Sequence, residues 1–70
     1  MNTIKSIVSG TVTRIHAAPG DTLSPGDIVL TVESMKMEIP VEAETACRIR
    51  EILVAEGASV NEDDDIAVVD

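Results

Sequence analysis

Hydrophobic positions along this chain fall in short runs, at residues 4–8, 12–17, 28–32, 39–43, 48–54 and 66–69. Each run is too short for an ordinary helix and has the length of a strand. Val and Ile dominate them, and branching at Cβ favours extended backbone. Turn chemistry separates the runs. "PGD" occurs at 19–21 and again at 25–27. Pro presets the first central φ of a type II turn and Gly supplies the positive second one. The pattern predicts one all-β domain over residues 1–70, with no long loop and a solvated turn at "EDDD", residues 62–65.

The pattern also repeats. Shifted by 37 positions, Gly10 falls on Cys47, Val12 on Ile49, Ile15 on Ile52, Gly20 on Gly57 and Leu23 on Val60. Asp27, Val29 and Val32 then meet Asp64, Ile66 and Val69 without a gap. In both halves the first apolar pair is three residues apart rather than two, which predicts a β-bulge or sharp twist at the same place in each. Neither half could bury its apolar face alone, so the repeat implies a pseudo-twofold sandwich or flattened barrel. The segment joining the halves contains "SMKM", residues 34–37. The repeat thus puts Lys36 in a linking hairpin, at an exposed tip.

Composition narrows the function. The core must be aliphatic, because Phe, Tyr and Trp are absent. A net charge of −8 disfavours nucleic acid and anionic lipid as partners. No apolar run is long enough to span a bilayer, and the N-terminus lacks a signal-peptide pattern, so the expected location is cytoplasmic, without membrane insertion. Cys47 is the single cysteine, with no CxxC or Cys/His cluster for a metal, and is expected to pack as a small apolar group. His16 is the one histidine and Lys5 the one other lysine; both read as surface residues, and no catalytic constellation is evident. The initiating Met and compact length favour a separate subunit.

That leaves the tip. A neutral lysine amine is a nucleophile able to form an amide with an activated carboxylate. Met35 and Met37 are unbranched and adaptable, and make a small apolar handle on an acidic surface. The tip lacks Asn-Gly or Gly-x, the usual two-residue hairpin chemistry, and such a departure points to function. Glu33, Glu38, Glu42 and Glu44 are expected to keep the hairpin region acidic, and its docking partners basic.

"ESMKMEIPVEA" resembles the attachment motif of the biotinyl domains of biotin-dependent carboxylases and decarboxylases. Glu33, Ser34, Met35, Lys36 and Met37 match the pattern Glu-(Ala/Ser)-Met-Lys-Met in order. "SGTVTRI", "PGDTLSPGDIVLTVES" and "EGASVNEDD" resemble the family's flanking segments, so the likeness covers nearly the whole chain. It implies a flattened barrel of two four-stranded antiparallel sheets, with biotin in amide linkage on Lys36, added by a biotin protein ligase. Glu33, Ser34, Met35, Met37 and Glu38 would form the recognised hairpin. It further implies a non-catalytic carrier, taking a carboxyl group from biotin carboxylase to a carboxyltransferase, commonly for an acyl-CoA acceptor. Lipoyl domains share the fold but usually show Asp-Lys-Ala at the tip, which makes a lipoyl carrier the alternative. An unmodified adaptor of the same ancestry is another. The gapless repeat leaves no room for the thumb loop of larger biotin carriers. Three positions depart from the family: Cys47 stands opposite Gly10, Asp63 replaces the usual turn Gly, and Asp65 occupies a normally apolar or neutral place.

Overall fold

The computed structural model describes residues 2–70. The eight strands are β1 (Asn2–Lys5), β2 (Gly10–Ile15), β3 (Thr22–Leu23), β4 (Ile28–Ser34), β5 (Met37–Glu42), β6 (Cys47–Ile52), β7 (Ser59–Val60) and β8 (Asp65–Val69). They form two four-stranded antiparallel sheets, ordered β1-β8-β6-β3 and β5-β4-β2-β7. Six of the strands correspond to the hydrophobic runs, with shifted ends. The first run ends early, because Ser6 is buried and its Oγ donates to the Val8 carbonyl at 2.6 Å, a local bond that competes with the ladder. The other two strands are the two-residue β3 and β7, which periodicity cannot detect.

The repeat is exact in the backbone. Thr13 is the extra residue where β2 pairs with β4, and Arg50, 37 positions on, is the extra residue where β6 pairs with β8. Each bulge puts two consecutive exposed residues on the outer face, then turns Ile15 or Ile52 back toward the interior, which explains the three-residue spacing. A second pair of bulges, at Val29 and Ile66, keeps the same offset. The halves also exchange parts. β3 pairs with β6 of the second half, and β7 with β2 of the first. Gly20 N–H donates to the Ile49 carbonyl at 2.8 Å and Gly57 N–H to the Val12 carbonyl at 2.7 Å. Each half therefore completes the other half's sheet.

The core is aliphatic and symmetric as well. Val12 and Ile49, Leu23 and Val60, Val29 and Ile66, and Val32 and Val69 are all buried. Cys47 packs partly buried against this cluster. The turns follow the expected chemistry: Gly20 and Gly26 have φ of 96° and 91°, and Asp21 and Asp27 accept from the Ala18 and Ser24 amides. In the second half Asp63 takes the place of Gly26 at φ 73°, in the left-handed region that Asp enters more readily than most residues. The same turn is braced by Asn61 N–H donating to Asp64 Oδ2 at 2.8 Å.

Asp65 belongs to β8 rather than to the acidic turn before it. It accepts from Lys5 Nζ at 2.6 Å and from Thr3 Oγ1 at 3.2 Å across the β1–β8 pair. The Lys5 hydrogen bond, then the Thr3 one, holds the Asp65 carboxyl below its ordinary pKa, and the same bond raises Lys5. The lowered Asp65 stabilises the fold above the carboxylate range, and that share is lost as pH falls below about 4. The raised Lys5 stabilises it below the lysine range, and that share is lost above about pH 10. Thermal midpoints measured across pH should show a decline at both ends, and Asp65→Asn should flatten both. An unchanged profile would show that solvent screens the pair completely.

Candidate functional site

β4 and β5 form the longest pairing in the molecule, from Ile28↔Glu42 to Ser34↔Met37. Only Met35 and Lys36 lie between the last paired residues. Both have positive φ, 52° and 65°, as a two-residue type I′ turn requires. Asn and Gly normally fill such positions, because a Cβ in left-handed backbone costs about 1–2 kcal/mol per residue. The long ladder below the turn holds these two ordinary residues in strained backbone. Lys36 therefore stands at the summit of the hairpin.

The two methionines point to solvent, Met35 with 92% and Met37 with 63% of its surface exposed. Neither methionine is therefore a core residue. Lys36 is exposed and, among the described residues, makes no ion pair. The structure thus leaves its amine free at the end of a four-carbon stem, on a surface without competing contacts.

Below the turn, Ser34 is half-buried at the end of β4. Glu33 and Glu38 are direct cross-strand partners and both are exposed. Thr13 Oγ1 lies 3.2 Å from the Thr31 carbonyl and 3.5 Å from Glu38 Oε1. Its single proton favours the shorter bond, so Glu38 remains free to accept from a partner. His16 is exposed, with Nε2 3.1 Å from Thr31 Oγ1 on the same outer face.

The four glutamates do not act as one group. Glu42 and Glu44 belong to the far end of β5 and the loop after it, not to the tip. Five strand steps, about 17 Å at roughly 3.3 Å per residue, separate Met37 from Glu42. The acidic hairpin region is therefore spread along the β4–β5 pair and into the loop after it rather than gathered at the tip.

One residue that supports the tip is not apparent from the motif. Gly10 opens β2 beside the end of β4, and a Cβ placed on it would lie 2.1 Å from the Glu33 carbonyl oxygen and 2.9 Å from Val32 Cγ1. The bare Cα lets β2 approach the root of the hairpin. The one available signal is that its repeat partner is Cys47, which shows that the position is not needed for a turn.

Comparison with known proteins agrees with this arrangement. Residues 1–69 match the biotin/lipoyl family described as "Biotin-requiring enzyme". The biotin/lipoyl attachment protein of Bacillus subtilis is 37% identical over 62 residues, which cover 89% of this chain and 85% of that protein. The biotinylated protein TB7.3 homolog of Mycobacterium leprae is 33% identical over 66 residues, covering 94% and 93%. The solved structure of a single-chain, multi-domain long-chain acyl-CoA carboxylase superposes with a TM-score of 0.91 at 28% identity. That match covers 97% of this chain and 7% of the carboxylase, so this chain corresponds to one small part of such an enzyme. The fold, the repeat and these similarities give one conclusion: the chain belongs to the biotinyl/lipoyl attachment domain family.

Proposed function

We propose that this protein is a biotin carboxyl carrier, covalently biotinylated on Lys36 by a biotin protein ligase. The observation that carries this reading is the tip: a free lysine at the summit of a strained two-residue turn, between two exposed methionines. As a neutral amine, Lys36 Nζ attacks the activated carboxylate of biotin. An amide bond forms, the amine gives up its proton, and the activating group leaves. Met35 and Met37 offer the ligase an apolar grip, and Glu33, Ser34 and Glu38 complete the hairpin that it recognises. Once attached, biotin would supply a ureido nitrogen able to carry a carboxyl group, formed from bicarbonate with ATP at biotin carboxylase, to a carboxyltransferase with an acyl-CoA as acceptor. The hairpin holds the arm clear of the body, and tethering raises its effective concentration at both partner sites. The domain contributes position and reach in the cytoplasm, and its partners contribute the catalysis.

A lipoyl carrier is the second reading, favoured by the Bacillus subtilis relative, whose name covers both groups. The intact mass after incubation with biotin ligase, ATP and biotin separates the two. One biotinyl group should appear on the wild type and none on Lys36→Ala, whose fold should be unchanged. Replacing Met35 with Asp and Met37 with Ala should lower the yield. A folded wild type that takes lipoate from a lipoate ligase and no biotin would overturn the proposal.

A further inference from the structure

The two sheets are closed unequally on their two sides. One edge of each sheet is a two-residue strand, β3 or β7. The other edges are β1 and β5, four and six residues long. Between them runs a cleft of about 520 Å³, lined by residues 2–7 and by the end of β5 with the loop after it. Its apolar lining includes Ile4, Ile7, Val41 and Cys47, and Ile7 is 55% exposed.

Edge strands are commonly blunted by proline, charge or shortness. β5 carries Pro40 along with Glu38 and Glu42. β1, "NTIK", has no proline, and its single charge, Lys5, is occupied by Asp65. β1 is therefore an edge with one open side, beside a cleft of mixed polar and apolar lining.

The charged lining of the cleft is mostly acidic, and its one cation, Lys5, is already paired with Asp65. Glu42, Glu44, Asp63 and Asp70 border the cleft. Asp70 meets Arg50 at 3.4 Å, but among the described residues Glu42, Glu44 and Asp63 have no cation within ion-pair distance. No group of three His, Cys, Asp or Glu side chains among the described residues is placed to hold a metal. A polyamine could answer the carboxylates but not the open strand edge. A polypeptide answers both.

We propose that this cleft docks an extended basic segment of a partner protein, which adds as a strand beside β1. Its aliphatic side chains enter between β1 and β5 while its Lys or Arg side chains meet Glu42, Glu44 and Asp63. Main-chain pairing along an open edge supplies affinity and the alternating side chains supply specificity. Charge matching sets the orientation and speeds the encounter. The cleft excludes the tip, so docking leaves Lys36 free for its own chemistry.

A titration followed by amide NMR tests this, using the capped peptide Lys-Val-Lys-Val-Lys. Saturable shift changes should be confined to residues 2–7, 41, 42, 44–47, 63, 69 and 70, which line the cleft. Combining Glu42→Gln, Glu44→Gln and Asp63→Asn should weaken binding at least tenfold at an unchanged melting temperature, since Asn keeps the left-handed backbone that position 63 needs. Methylating alternate peptide amides, which blocks strand pairing, should weaken it as much. Absence of saturable shifts would overturn the proposal. So would shifts spread over the whole acidic surface, or equal binding of the methylated peptide. Lys36 lies outside the cleft, so none of these results depends on which group the tip carries.

Discussion

Gly10→Ala should lower stability by about 3 kcal/mol, at the upper end of what overpacking costs. In a domain of this size that is about 15 °C in melting temperature and a large part of the total stability. The magnitude follows from what the new methyl group meets. A flexible side chain could move aside, but the nearest atom is the Glu33 carbonyl oxygen, held by the β2–β4 ladder at the Thr11↔Glu33 pair. Relief requires the two strands to part at the root of the hairpin. The variant should therefore also be a poorer substrate for the ligase at temperatures where it remains folded. Thermal unfolding and initial modification rates measure the two effects separately. A melting temperature within a few degrees of wild type would show that the strand ends yield more easily than the ladder suggests.

The second large effect has opposite signs in stability and function. Changing Met35→Asn and Lys36→Gly together installs the residues that a type I′ turn prefers. It removes two side chains from left-handed backbone, while the added Gly gives back part of the gain through the freedom of the unfolded chain. The net expectation is a stabilisation of about 1 kcal/mol, together with complete loss of modification. Denaturant unfolding and intact mass read the two outcomes. A loss of stability would mean that Met35 or Lys36 makes favourable contacts that offset its strain. Stabilisation would show that the tip holds a lysine at the expense of fold stability, as expected where the attached chemistry matters more than the turn.

These two positions also mark how much of the site was legible in the sequence. The motif at residues 33–38 is contiguous, and a hairpin tip is a local structure, so its residues could be named in advance. The turns at Pro19-Gly20 and Pro25-Gly26 were legible for the same reason, since each is specified by residues in contact along the chain. Gly10 could not be ranked from the sequence, because the contact that makes it necessary involves residue 33, on another strand. The short strands β3 and β7 escaped notice because two residues carry no periodicity. The spread of Glu33, Glu38, Glu42 and Glu44 along the hairpin and beyond was not legible, because closeness in sequence is not closeness along a strand.

The sequence by itself determined the all-β class, the two-half repeat with its bulges, the aliphatic core and the presentation of Lys36. Each of these rests on local preference or on a period, and the offset of 37 carried the local features from one half to the other. Tertiary structure alone decided which half lends which strand to the other, and that β2 passes within a missing methyl group of the hairpin root. It also decided that three unpaired carboxylates gather around an open edge on one side of the sandwich. Those outcomes depend on how two sheets meet, and a pattern of hydrophobic positions specifies which face is buried without specifying what lies across from it.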